Sequence, residues 1–282
     1  MVKRAPFLHG KRHCIFFDGE VGEKDIHSSI SGEHLWPIWA DSLVNRAGKP
    51  GYNLEEVAVF SEKDKLISHT IKERPGAPTS KKLRVVCAKC NNGWMGAIEE
   101  ETRPIATPLI LGHAKNLTVD MQRRLAEWVT LKTMILEHRN PEDAVIPFVD
   151  RDRFRLQRTI PPYVYIWIAR CISTKWNSHY ITHPATLNLT EFPLPDATRR
   201  NVQTTALGIG QLFIYCILWN AEGIELSGQI GVNRQIPRIW PPGTTNIRWP
   251  QATIDTAGAD HMALSLHKLI QLPHIVWRPG GR

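Results

Sequence analysis

Val86-Cys87-Ala88-Lys89-Cys90-Asn91-Asn92-Gly93-Trp94-Met95 joins a short apolar run, Leu83 to Val86, to a segment that turns helical at Asn91. The run reads as a strand. Two cysteines separated by two residues let two thiolates converge on one Zn²⁺ and leave two tetrahedral positions to fill. A redox role for the same spacing needs a βαβ context, which the flanking pattern does not supply. Two ordinary buried thiols are the plain alternative. Asn91 stands where a helix N-cap stands, Trp94 and Ile98 share a helical face, and Pro104 is expected to stop the helix. Glu99, Glu100 and Glu101 lie on it, with Glu99 just over two turns past Asn91 on roughly the face of Asn92. Such a run of glutamates is also what a solvated face looks like.

Upstream, Cys14 lies in an aromatic-flanked strand, Cys14 to Phe17, and is the natural third zinc ligand. A four-cysteine site would place its partner three residues on, where this chain has Phe17; His13, Asp18 and His27 are the remaining candidates for the fourth position. Glu33-His34-Leu35-Trp36-Pro37 sets a histidine and a carboxylate beside an apolar cluster, with Trp36 and Trp39 placed to wall it off. Taken alone, such a histidine is more often packed or at the surface than catalytic. The alternating stretches Val57–Phe60 and Leu66–Ile71 predict a hairpin, and 74–80 is a loop by composition.

Together these pieces resemble the HNH endonucleases, whose catalytic unit is a ββα-metal fold, and most closely the subgroup with a zinc-binding C-x-x-C knuckle. The resemblance rests on E-H-L-W-P-x-W, a hairpin-length interval, then V-C-x-x-C-N-N-G-W-M and an acidic helix. It covers roughly residues 12–104. It implies that His34 is the general base and Glu33 a ligand of a catalytic Mg²⁺ or Mn²⁺. Asn91, or Asn92, would orient the histidine, and Glu99 would be the helix-borne ligand. Cys14, Cys87 and Cys90 would hold a structural Zn²⁺. The chain departs from the family at Phe17, where a cysteine is expected, and at the final histidine, for which Glu99 substitutes. Carboxylate oxygen suits Mg²⁺ and Mn²⁺. The implied activity is hydrolysis of phosphodiester bonds in DNA, with RNA left open and a homodimer as one route to cutting both strands. The competing expectation is a zinc-knuckle nucleic-acid-binding protein that has lost the activity.

Composition bounds this reading without making it. In 282 residues, 35 basic against 27 acidic side chains give a net +8, which permits a nucleic-acid partner and does not require one. Hydrophobic content of 42% with 22% charged residues excludes a largely disordered chain. No apolar run has the length of a membrane helix, no secretory h-region opens the sequence, and five cysteines make a reducing cytoplasm the default. Residues 1–104 carry 16 basic and 14 acidic groups, the remainder 19 and 13, with 15 of those 19 being arginine. Arg151, Arg153 and Arg155 alternate and on a strand would share one face, as a phosphate grip or as a solvated edge partly neutralised by Asp150 and Asp152.

The remainder reads as a mixed, β-rich α+β region over 118–282, following the nuclease-like unit of 1–104, so that the fold class is α+β. A helix is expected from Thr118 or Asp120 to Leu136, with Met121, Leu125, Trp128, Leu131 and Ile135 on one face. Strand-like runs follow at Tyr163–Ile168, His179–Thr182, Leu207–Leu218 and Ile224–Ile230, and a last helix at Ala257–Leu272. Trp167 and Trp219 are expected in sheet cores, and the Trp240 and Trp249 stretches in surface loops. Nucleic-acid recognition or dimerisation is the role the charge of this region suggests.

Overall fold

A computed structural model describes residues 14–17, 29–44, 52–60, 66–75, 80–189, 200–221, 226, 236–266 and 275–279. The fold is mixed α+β. Strand β1 (Ile30–His34) is followed by α1 (Ile38–Val44) and by a hairpin of β2 (Tyr52–Phe60) with β3 (Leu66–Pro75), longer at both ends than the alternation predicts. β4 (Lys82–Cys87) then returns antiparallel to β1, pairing Ile30 with Cys87 and His34 with Lys82. One helical turn, α2 (Ala88–Cys90), runs through a kink at Gly93 into α3 (Gly96–Ile110). Two antiparallel strands and a helix are therefore present in the expected order. Cys14 to Phe17, expected as a strand, is instead a tight turn: Phe17 N–H donates to Cys14 C=O, and Ile15 N–H docks the turn on Val85 C=O of β4.

Pro104 does not end α3. The helix carries Pro104 and Pro108 internally and stops at Gly112, whose φ of +75° is left-handed. Gly112 N–H reaches Leu109 C=O and His113 N–H reaches Pro108 C=O, the double bond pattern of a Schellman cap. Pro108 lacks the N–H that would bond Pro104 C=O, and Lys115 Nζ donates to that carbonyl at 3.3 Å instead. The interval between 104 and 118 is thus helix, cap and β5 (Lys115–Leu117), not a linker. β5 pairs with β11 (Ile247–Trp249).

Helix α4 (Val119–Glu137) begins with Thr118 as N-cap, its hydroxyl accepting from Met121 N–H, and is buried almost continuously from Leu125 onward. α5 (Phe148–Gln157) contains the arginine stretch, so those residues are helical rather than alternating on a strand. Asp150 and Asp152 lie one turn before Arg153 and Arg155 and pair with them, while Arg151 donates to Ile15 C=O and Arg158 to Glu101. Asp150 and Asp152 partly neutralise this helical face.

The rest is a seven-stranded sheet in the order β10-β6-β9-β8-β7-β13, with β12 also on β6. Its strands are β6 (Val164–Cys171), β7 (Tyr180–Leu189), β8 (Val202–Ile209), β9 (Leu212–Trp219), β10 (Arg238–Trp240), β12 (Thr253–Ile254) and β13 (Ile275–Pro279). Period-two alternation sorts β9 cleanly. Leu212, Ile214, Cys216 and Leu218 join the α4 side, whereas Phe213, Tyr215, Ile217 and Trp219 join a second cluster with α6 (Thr256–Ala263). The run expected over 207–218 is two strands folded at Gly210. Trp219 is buried as expected and Trp167 half-buried; Trp249 is buried, contrary to the loop reading. The stretch 224–230 and the end of the last helix fall outside the described residues, apart from Leu226. Among the described residues no helix is long and apolar enough to cross a membrane.

At the end of α4, Glu137 is buried and accepts from Val145 and Ile146 N–H. Burial pushes its carboxyl from an ordinary 4.5 up to about 8. A raised acid contributes stability that is present below its unfolded pKa and lost as pH rises through the folded one. The melting temperature of wild type relative to Glu137→Gln should therefore fall between about pH 4.5 and 8. Taking the difference removes His138, which burial holds down at about 3 and whose contribution slopes the other way.

Candidate functional site

The knuckle brings three sulfurs together. Cys87 ends β4 and caps α2, its Sγ accepting from Cys90 N–H, and the Cys14 turn lies against both. The three Sγ atoms all lie within 4.8 Å of one another, with Cys14 to Cys90 at 3.8 Å. Zn–S bonds of about 2.3 Å in a tetrahedron place sulfurs about 3.8 Å apart, so the set fits one Zn²⁺ with a fourth position to fill. A hydrogen bond from Cys90 holds the Cys14 thiol down at about 5, the thiolate form a metal takes, while burial pushes Cys87 up. Phe17 offers no ligand atom from its side chain. His13, Asp18 and His27 lie outside the described residues.

The acidic groups gather where β1, α3 and α4 meet. β1 delivers Glu33 and His34; the first turn of α3 delivers Glu99. Glu33 and Glu99 meet at one atom, the Nζ of Lys132 from α4, at 2.5 and 2.6 Å. The third ammonium proton goes to His34 C=O at 2.9 Å. Lys132 is wholly buried, Glu33 nearly so, and the Glu99 side chain is 22% exposed. Burial alone would lower Lys132, but the two carboxylates outweigh it and hold the ammonium above its ordinary pKa. Burial raises Glu33, with Lys132 pulling against it. Burial, Lys82 and Lys132 together lower His34, so the ring is neutral at neutral pH, the form that can accept a proton.

Asn91 donates from Nδ2 to Ser31 Oγ at 2.9 Å. It braces β1 three residues before His34 and reaches the histidine through the strand, not by touching the ring. Asn92 points to solvent. Of the predicted set, the Glu33 and Glu99 carboxylates come together, His34 joins them through its backbone carbonyl while its ring shares the strand face of Lys82, Asn91 braces β1, and Asn92 is apart.

Two features were missed from sequence. Lys132 sits one turn after Trp128 and just before Ile135, inside the apolar stripe of α4; a lysine on a buried face was the available signal. Lys82 and Arg84 lie exposed at alternate positions of β4, with Lys82 paired to His34 in register, and Lys89 is exposed on α2. None of the three has an ion pair among the described residues.

The carboxylate pair fits a hard divalent ion in its chemistry: each gives one oxygen to Lys132, and the second oxygen of each has no hydrogen-bond partner among the described residues. Comparison with known protein families, curated proteins and solved structures finds no match to this chain.

Proposed function

We propose that the protein is a metal-dependent endonuclease of the HNH type that hydrolyses phosphodiester bonds in DNA. One observation carries this reading: Glu33 and Glu99, drawn from two stretches more than sixty residues apart, converge on the Nζ of Lys132, which also holds the backbone carbonyl of His34. An incidental C-x-x-C protein would have no reason to bring them together.

His34 accepts the proton of the attacking water. Its neutral form is favoured by burial and by the flanking lysines. Glu33 and Glu99 would hold Mg²⁺ or Mn²⁺ through their second oxygens; when bound, the ion neutralises charge on the phosphate and the leaving oxygen. Lys82, paired in register with His34, and Arg84, exposed two residues further along β4, form a cationic strip that suits a phosphate backbone, with Lys89 beyond its far end. Cys14, Cys87 and Cys90 with Zn²⁺ would fix the turn between β4 and α3, and with it the placement of Glu99.

Purified protein should nick supercoiled plasmid in Mg²⁺ or Mn²⁺ and stop when EDTA is added. Linear product without a nicked precursor would indicate a paired enzyme. Lys82→Ala with Arg84→Ala should weaken DNA binding at every sequence tested and flatten its dependence on salt by about two phosphate contacts, seen in a titration of affinity against ionic strength.

The second reading is a zinc-knuckle nucleic-acid-binding protein without catalysis. What favours it is Lys132, whose ammonium already neutralises the two carboxylates, and Phe17 in place of a cysteine. DNA binding with no metal-dependent cleavage, in the plasmid assay above, selects it.

A further inference from the structure

A lysine with no exposed surface needs a reason to be there. Transferring an ammonium from water costs several kcal/mol even after relaxation, and replacing a whole buried ionic cluster by apolar side chains of similar volume is often neutral or stabilising. Lys132 lies in the packed stripe of α4, where Trp128, Leu131 and Ile135 are apolar and buried. What distinguishes it from them is its three donors, all used, and all on the same site.

The contacts divide in a telling way. Two go to single oxygens of carboxylates on different elements, Glu33 of β1 and Glu99 of α3. The third fixes the backbone carbonyl of His34 itself. Two oxygens sharing one nitrogen at 2.5 and 2.6 Å are at most about 5.1 Å apart. Without a cation between them, two partly buried carboxylates at that separation repel, and one of them protonates or swings away.

We propose that Lys132 is the positioning residue of this site: from α4 it clamps Glu33, Glu99 and the His34 backbone together, leaving one oxygen of each carboxylate turned to a divalent ion. The proposal rests on the metal-dependent reading above and extends it. Residues 12–104, which carry the resemblance to a nuclease, then hold an incomplete site, and α4 from outside that stretch completes it. The ammonium is not a catalytic group, since it touches neither solvent nor substrate.

The test is Mn²⁺ binding to the full chain, followed by the loss of the free-ion EPR signal, for wild type, Lys132→Met and Lys132→Arg, with thermal melts of each. Mn²⁺ is the probe because cysteine thiolates bind it poorly compared with zinc. Lys132→Met should weaken Mn²⁺ binding at least tenfold. Lys132→Arg keeps the charge but moves the donors into a rigid fork; it should melt within a few degrees of wild type and still bind Mn²⁺ more weakly. Equal or tighter binding by Lys132→Met would make the ammonium a competitor of the ion and overturn the proposal. If the methionine variant does not fold, a folded arginine variant with wild-type affinity overturns it instead. Wild type that nicks plasmid and binds Mn²⁺ alongside variants that bind it equally well removes only the role of Lys132. Wild type that does neither removes the metal-dependent reading and the clamp with it.

Discussion

His34→Ala should reduce plasmid nicking by about 10²- to 10⁴-fold, the usual contribution of a positioned general base, while leaving DNA affinity within about twofold of wild type. The structure separates the two effects. The His34 ring makes no side-chain hydrogen bond within the described residues, and Lys132 is anchored to its backbone carbonyl, which alanine retains. Glu33, Glu99 and the cationic strip of Lys82 and Arg84 keep their supports in the variant. Binding measured by fluorescence anisotropy alongside nicking would therefore report a chemical defect, not a collapsed site. Undiminished nicking would remove His34 as the base.

Gly208→Ala should cost about 3 kcal/mol and lower the melting temperature by about 6–12 °C. A Cβ at position 208 would lie 2.1 Å from the carbonyl oxygen of Trp176. The neighbour cannot yield cheaply. Gly208 N–H donates to His179 C=O and His179 N–H returns to Gly208 C=O, so β8 is stitched to the segment that would have to move. Trp176 is itself fully buried, edge-on to Phe213, with its indole N–H on Asp260. A calorimetric scan matching wild type would show that the close approach relaxes without cost.

Some of this was legible in the residues and some was not, for physical reasons. The Cys87–Cys90 spacing, the β2–β3 hairpin and the helix through Trp128 are short-range patterns, and local rules reach them. That Glu33 and Glu99 meet was accessible only through the resemblance, because no periodicity links residues 66 positions apart. Pro104 misled because proline removes one N–H and does not forbid a helix; its own carbonyl, left without a helical donor by Pro108, finds Lys115. Arg151, Arg153 and Arg155 alternate by coincidence; at helical spacing Arg153 and Arg155 fall beside the aspartates that pair with them, and Arg151 donates to backbone carbonyls. Gly208 and Gly210 fall inside the stretch 207–218 that reads as one strand and are instead a close approach and a hairpin turn, with Gly210 at φ +54°. Lys132 was hidden by the strength of the stripe around it, since an amphipathic face is scored by its majority.

The continuity of packing across α3 and α4 governs which parts of the chain can open independently. Residues from Cys14 to Trp249 belong to one hydrophobic cluster that includes Trp36, Met95, Ile98, Trp128 and Leu218. Among the described residues this cluster runs without a break from the segment around the histidine-bearing strand to the large sheet. Backbone amides of β1, α3 and β9 should therefore exchange with solvent through a shared opening. A site built this way would inherit its rigidity from a sheet that contributes no side chain to it.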